Sequence, residues 1–188
     1  GSVKVDGVDV RDMTQKELRD KLGYVPQKGV LFSGTIDSNI RYGKPEITDA
    51  QVKEAAEVAQ ATEFIDTKPE KYESPVSQGG TNVSGGQKQR LSIARAIAKD
   101  PEIFIFDDSF SALDFKTDSQ LRKALKEYTK DATTVIVAQR ISTILGADQI
   151  IVLDDGHMAG IGTHKELMAN CEVYQQIARS QLSEEELA

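Results

Sequence analysis

The sequence predicts an α/β fold, a mostly parallel sheet with a helical subdomain, on three observations. Residues 103–106, 133–138 and 149–153 are short, continuous apolar runs. Each follows a helix-compatible segment, and strands that read as buried on both faces and alternate with helices imply parallel pairing. At 188 residues the chain suits one domain with a substantial core, and 39% hydrophobic with 28% charged residues is ordinary for that class.

The elements follow in order. Val3, Val5 and Val8 around Asp6-Gly7 read as a strand end, a tight turn and the start of another element. Thr14-Gln15-Lys16-Glu17 matches a capping box ahead of a short helix ending near Gly23, and Tyr24-Val25-Pro26-Gln27 is a brief strand running into a loop, so Gln27 sits at a strand's end. Residues 48–64 place Val52, Ala55, Ala56, Ala59 and Phe64 at helical spacing, and residues 68–81, rich in Pro, Gly and Ser, form a connecting loop. Asp155-Gly156 turns a hairpin into residues 158–161. Thr163-His164-Lys165-Glu166 caps a final helix before an acidic tail, Glu184 to Glu186.

Composition excludes several functions. No apolar run approaches the ~18 residues a membrane helix needs, so this segment is not expected to cross a bilayer. A net charge of -7 argues against nucleic acid as a partner, because phosphate backbones are held by clustered Lys and Arg. The single cysteine, Cys171, rules out an intrachain disulfide and reads as a buried thiol, in keeping with a reducing cytosol. A basic start followed by a hydrophobic stretch is missing, so no signal peptide is expected.

Two stretches carry chemistry. Val83-Ser84-Gly85-Gly86-Gln87 opens an apolar-periodic helix, and Ser84 with Gln87 fits a capping box. Capping does not explain the adjacent glycines, which weaken a helix yet let a ligand approach bare amides at the positive end of its dipole. An anion site is the better reading. Downstream, residues 103–106 end in Asp107-Asp108, where ligands of open α/β sheets bind, and a carboxylate there suits Mg²⁺, a hard cation that prefers oxygen ligands.

Gln27, Ser84-Gly85-Gly86-Gln87, Asp107 and Ser111-Ala112-Leu113-Asp114, in that order, resemble the Q-loop, signature, Walker B and D-loop of the ABC ATPase family, whose fold is that of the P-loop NTPases. Residues 31–36 and 162–167 resemble its exporter cassettes in particular. The resemblance implies ATP and Mg²⁺ as cofactors, a second ABC nucleotide-binding domain as partner, and transmembrane domains that hold the cassette at the cytoplasmic face of a membrane. Domains of this kind pair head to tail. Ser84, Gly85, Gly86 and Gln87 would then serve ATP held by the partner, while Asp107, Gln27, Asp108 and Gln139 would face this chain's own nucleotide, and the D-loop Asp114 would also be a cofactor-binding residue. Gln27 would also sense Mg²⁺ and the attached membrane helices. Residues 77–80 occupy the place of the exporter loop that touches the membrane domains, with Gln78 where an acid is common.

The family pattern is broken in three places. Asp108 stands where the family has a catalytic Glu, and a carboxylate one methylene shorter should position water poorly, since a base must come within about 2.6 to 3.2 Å of the proton it removes. Gln139 stands where the switch His would be and carries no titratable charge near neutral pH. Both changes fall on the same site, whereas the signature departs only by Val83 for Leu. This division implies an asymmetric heterodimer with one degenerate and one competent site, against drift in a homodimer. Lastly, no Gly-x₄-Gly-Lys-Ser/Thr phosphate loop is present: Gly29 and Gly34 have the glycine spacing but continue without lysine. The expectation is a partial nucleotide-binding domain over residues 1–188 whose N-terminal part is missing, with a helical subdomain at about 48–100 and a C-terminal hairpin and helices at about 149–188.

His157 and His164 lack partners at metal-ligand spacing, and Asp154-Asp155 before Gly156 reads as a turn. Besides an ATP-driven export motor, two other functions fit: a regulatory ATP-binding module of the same dimer, and a non-transport ABC ATPase, which the acidic charge and residues 31–36 disfavour.

Overall fold

The computed structural model describes residues 1–183 and divides into two compact units, residues 1–137 and 138 onward. The acidic stretch Glu184 to Glu186 lies outside the described residues.

The first unit opens with a small antiparallel hairpin, β1 (Lys4–Val5) and β2 (Val8–Asp9), turned by Asp6 and Gly7 in left-handed backbone. Helix α1 (Gln15–Lys21) starts with the expected capping box, Glu17 N–H to Thr14 Oγ1 at 3.2 Å and Thr14 N–H to Glu17 Oε2 at 2.9 Å. It stops earlier than the sequence reading placed it, because Leu22 already has extended backbone and starts β3 (Leu22–Val25). Next come β4 (Gly34–Thr35), α2 (Ile36–Ile40), α3 (Asp49–Val58) and α4 (Thr62–Asp66). The helical pattern over residues 48–64 is therefore broken, with Gln60 in left-handed backbone (φ 56°) turning α3 into α4. The 68–81 loop contains β5 (Pro75–Val76), which pairs antiparallel with β4.

Helix α5 (Gly85–Ala98), strand β6 (Ile103–Asp107), helix α6 (Phe115–Tyr128) and strand β7 (Thr133–Val137) complete the unit. The sheet runs β3-β6-β7, parallel throughout, with Val25 opposite Phe106 and Phe106 opposite Ile136. Val25, Phe104 and Phe106 turn one face into a core that also takes Leu91, Ile93 and Ile97 of α5 and Leu121 and Leu125 of α6. The other face is open: Tyr24, Val135 and Val137 are about half exposed. Burial on both faces was expected of β7 and is not found among the described residues, since an apolar run has the same pattern whether or not its second face is covered.

In the second unit α7 (Ile141–Ile144) precedes the hairpin β8 (Ile150–Asp154) and β9 (His157–Gly162), turned by Asp155 and Gly156. Strand β8 is thus antiparallel to its neighbour and not part of the parallel sheet, and Ile151 and Leu153 are exposed. The single final helix expected from sequence is two, α8 (His164–Asn170) and α9 (Glu172–Gln181), with buried Cys171 between them. Ile150, Val152, Leu167, Cys171, Tyr174 and Ala178 form this unit's core.

Two outcomes follow. Phe106 is 1% exposed and Phe115 is 81% exposed. Urea unfolding should find Phe106→Ala destabilising by about 3–5 kcal/mol, and Phe115→Ala within about 0.5 kcal/mol of the parent. The second concerns Asp114, N-cap of α6, whose carboxylate accepts from Thr117 N (3.0 Å) and Thr117 Oγ1 (2.7 Å). The backbone N–H first, and the hydroxyl second, hold its carboxyl below the usual Asp value. A carboxyl depressed in the folded state stabilises the fold above its unfolded value near 3.9, and that contribution is lost as pH falls through the lower, folded value. A carboxyl NMR titration should place the Asp114 midpoint below that of a free Asp, with Thr117→Val recovering only part of the difference.

Candidate functional site

The parallel register of β3 and β6 sends two loops off the same edge of the sheet. Val25 lies opposite Phe106, so Gln27, two residues on, and Asp107-Asp108 emerge side by side at the carboxyl ends of their strands. Gln27 Nε2 donates to Asp108 Oδ2 at 3.1 Å. Asp108 has left-handed backbone (φ 44°), a conformation Asp tolerates better than most residues. It is held there by its N–H to Val137 O (2.9 Å) and by Ser111 Oγ donating to its carbonyl (3.0 Å). Ser109, fully buried, donates to Val25 O at 2.8 Å and ties the two strand ends together.

Asp107 ends β6 with Oδ2 accepting from Tyr24 Oη at 3.2 Å. Partial burial, and then this carboxylate, push the Tyr24 phenol above its ordinary pKa. Asp107 and the Gln27 carbonyl oxygen are hard oxygen donors at one sheet edge. Among the described residues no group of three or more His, Cys, Asp or Glu could hold a metal by itself. That donor set fits Mg²⁺ arriving with a nucleotide, because Mg²⁺ is usually held by one or two carboxylates plus phosphate oxygens and water.

At the start of α5 the capping box is complete. Gln87 N–H donates to Ser84 Oγ (3.2 Å) and Ser84 N–H to Gln87 Oε1 (3.1 Å). The two readings of this stretch are therefore compatible: the box uses the amides of Ser84 and Gln87 and leaves those of Gly85 and Gly86 to face outward from the first turn. A side chain at Gly85 would meet nothing within 4 Å, and one at Gly86 would come within 3.5 Å of Ala112 O. The Ser84 hydroxyl can still donate its own hydrogen. The helix start is braced by Arg90, whose Nη1 donates to Gln60 O (2.7 Å), whose Nε reaches Gly86 O (3.4 Å) and whose guanidinium lies 4.8 Å from the Phe64 ring centre. Burial holds Arg90 below its ordinary pKa.

The structure thus brings Gln27, Asp107 and Asp108 together, and places Ser84, Gly85, Gly86 and Gln87 at one exposed helix start beside Ala112 and Leu113. The Asp114 carboxylate is occupied as the α6 cap. Gln139 belongs to the second unit, where its carbonyl accepts from Gln181 Nε2 (2.9 Å) while Gln181 Oε1 accepts from Ile141 N–H (2.8 Å). Residues 78–80 make a short 3-10 turn. His164 Nδ1 lies 2.8 Å from Tyr174 Oη, inside the second unit. Sequence reasoning missed Tyr24, Arg90 and Gln89. For Gln89 a signal existed, a polar residue on the stripe of α5 shared with Ser92, Ile93 and Ala96, all of them buried.

Comparison with known proteins agrees with the family resemblance and the fold. The family model described as ABC transporter matches residues 1–111. An ABC transporter ATP-binding protein of Mycobacterium bovis is 47% identical over 184 residues, covering 96% of this chain and 31% of that protein. A protein of Staphylococcus aureus named as a multidrug export ATP-binding/permease protein is 44% identical over 177 residues, 94% of this chain and 31% of its own length. The solved structure of a bacterial Atm1-family ABC exporter with ATP bound superposes with a TM-score of 0.93 at 39% identity, covering 98% of this chain and 32% of the exporter chain. The chain spans about a third of the length of these relatives. With the ordered motifs, the parallel sheet and these matches in agreement, the chain belongs to the ABC transporter family and has the nucleotide-binding fold of its exporters.

Proposed function

We propose that the chain is the ATP-binding motor region of an ABC exporter, that it pairs with a second, different nucleotide-binding domain, and that its own ATP site hydrolyses weakly. The observation that carries this is the contact between Gln27 and Asp108: the shortened carboxylate accepts from the Gln27 amide at 3.1 Å. Engaged there and one carbon-carbon bond shorter than Glu, it is poorly placed to take a proton from an attacking water. Gln139, in place of a switch His, can still donate a hydrogen bond to phosphate but carries no titratable charge near neutral pH.

Asp107 and the Gln27 carbonyl would hold Mg²⁺, which when bound polarises the γ-phosphate. Ser84 and the Gly85 and Gly86 amides, with Gln87 fixing the helix start, would grip the γ-phosphate of ATP on the partner, using the helix dipole and backbone donors. The D-loop between Ser111 and Asp114 would lie at the same joint, with the Asp114 cap setting the direction of α6. Closure of the pair on ATP would then move transmembrane domains at the cytoplasmic face of a membrane. The multidrug export named for the Staphylococcus aureus relative supports the exporter reading, as does the exporter-like fold, and the charge of -7 disfavours a nucleic-acid substrate. Within the domain we assign residues from about 48 to 100 to the helical subdomain and the described residues from about 149 onward to the C-terminal hairpin and helices. A second reading, that ATP is retained at the weak site to hold the pair together without turnover, is favoured by the two departures from the family pattern, Asp108 for Glu and Gln139 for His, at positions that the resemblance assigns to hydrolysis.

The test is ATPase activity of the full-length chain alone and mixed with its partner, in membranes or detergent. The lone chain should turn over slowly and the mixture fast, mutation of the partner's matching base should abolish activity, and Asp108→Glu should raise hydrolysis at this chain's own site by about tenfold. Robust turnover by the lone chain, or activity surviving loss of the partner's base, overturns the asymmetric reading.

A further inference from the structure

Gln89 is among the few polar side chains buried in the first unit, 1% exposed, on the sheet-facing side of α5. Its amide spans the loop that carries Gln27. Nε2 donates to Pro26 O at 3.1 Å on one side, and Oε1 accepts from Gly29 N–H at 2.9 Å on the other. A second observation shows how closely that loop lies on the helix. A side chain at Gly29 would come within 2.8 Å of Ser92 Oγ and 2.9 Å of Lys88 O, so only a bare α-carbon fits against α5 there. Gln27 in turn donates to Asp108. A continuous chain of contacts therefore runs from Asp108 through Gln27, Pro26 and Gly29 to Gln89, and along α5 to Ser84, Gly85 and Gly86 at its start.

The geometry points to Gln89 as a positioning residue that makes the Gln27 loop and the signature helix move as one body, so that occupancy of this chain's own ATP site sets the placement of the amides offered to the partner's ATP. The inference rests on the two-site reading above. Gln89 touches no nucleotide in this account; it acts by holding both sides of a loop through two hydrogen bonds that an apolar residue of equal size cannot make. A buried amide clamp of this kind is costly to leave half-satisfied, so the loop and helix keep their relative position when either is displaced.

The experiment uses the complete dimeric exporter carrying Gln89→Met, which keeps volume and removes both hydrogen bonds, and Gly29→Ala, which pushes the loop off α5 while leaving Gln89 in place. The readouts are ATP hydrolysis at the partner-side site, ATP affinity at this chain's own site, and thermal unfolding. Partner-side kcat should fall at least about fivefold in each variant, with own-site ATP affinity within about twofold of the parent. In a double-mutant cycle the Gln27→Ala and Gln89→Met losses in kcat should be strongly non-additive, because both break one path. Gly85→Glu serves as the control. If it leaves hydrolysis intact, the two-site reading itself fails. If it abolishes hydrolysis while Gln89→Met and Gly29→Ala keep the parent kcat, or the cycle is additive, the coupling role is overturned. If Gln89→Met does not fold, the Gly29→Ala result and its own cycle with Gln27→Ala decide.

Discussion

Val25 lies opposite Phe106 in a parallel pair, and that register determines what the loops beyond the two strands can touch. Both strands leave the sheet at the same edge, so Gln27 and Asp108 meet although they are 81 residues apart in sequence. Hydrophobic burial fixes the register, because Val25, Phe104 and Phe106 share the core face with Leu91, Ile93 and Ile97, and a slip by one residue would turn every one of them outward. The polar geometry at the sheet edge is thus a consequence of apolar packing beneath it, and Ser109, buried under the loops, ties the two strand ends with one hydrogen bond.

Much of this was legible in the sequence where a local rule decides the structure. Capping boxes at Thr14, Ser84 and Thr163 stand where the Ser/Thr-x-x-Glu/Gln pattern puts them, and the Asp-Gly hairpins at 6–7 and 155–156 have the left-handed backbone those residues favour. What was illegible depended on distant partners. Pairing of β4 with β5 joins two-residue strands far apart in the chain, with no periodicity to announce them. The break at Gln60 is held in part by Arg90, thirty residues later, whose Nη1 donates to the Gln60 carbonyl. Apolar runs marked β7 and β8 as strands, yet could not reveal which faces are covered.

The same division applies to the site. Motif spacing placed Gln27, Asp107, Asp108 and the Ser84–Gln87 turn, but not how Asp108 is used. Its left-handed backbone, its carbonyl held by Ser111 and its carboxylate engaged by Gln27 are tertiary facts. They are the contacts on which the proposed weak base catalysis at Asp108 rests. At the start of α5 the capping box occupies the Ser84 and Gln87 amides, which leaves those of Gly85 and Gly86 for the phosphate contact proposed above. In the proposed reading one chain would carry a weakened site and an intact contribution to another, with α5 running from the clamp on the Gln27 loop to the Ser84 turn.

The most direct test of that division is a single-turnover measurement on the complete dimer loaded with ATP at both sites and then freed of unbound nucleotide. The account predicts that about half of the bound ATP is hydrolysed in a fast phase while the remainder persists as ATP over many turnover times. Conversion of all the bound ATP in a single phase at one rate would contradict it.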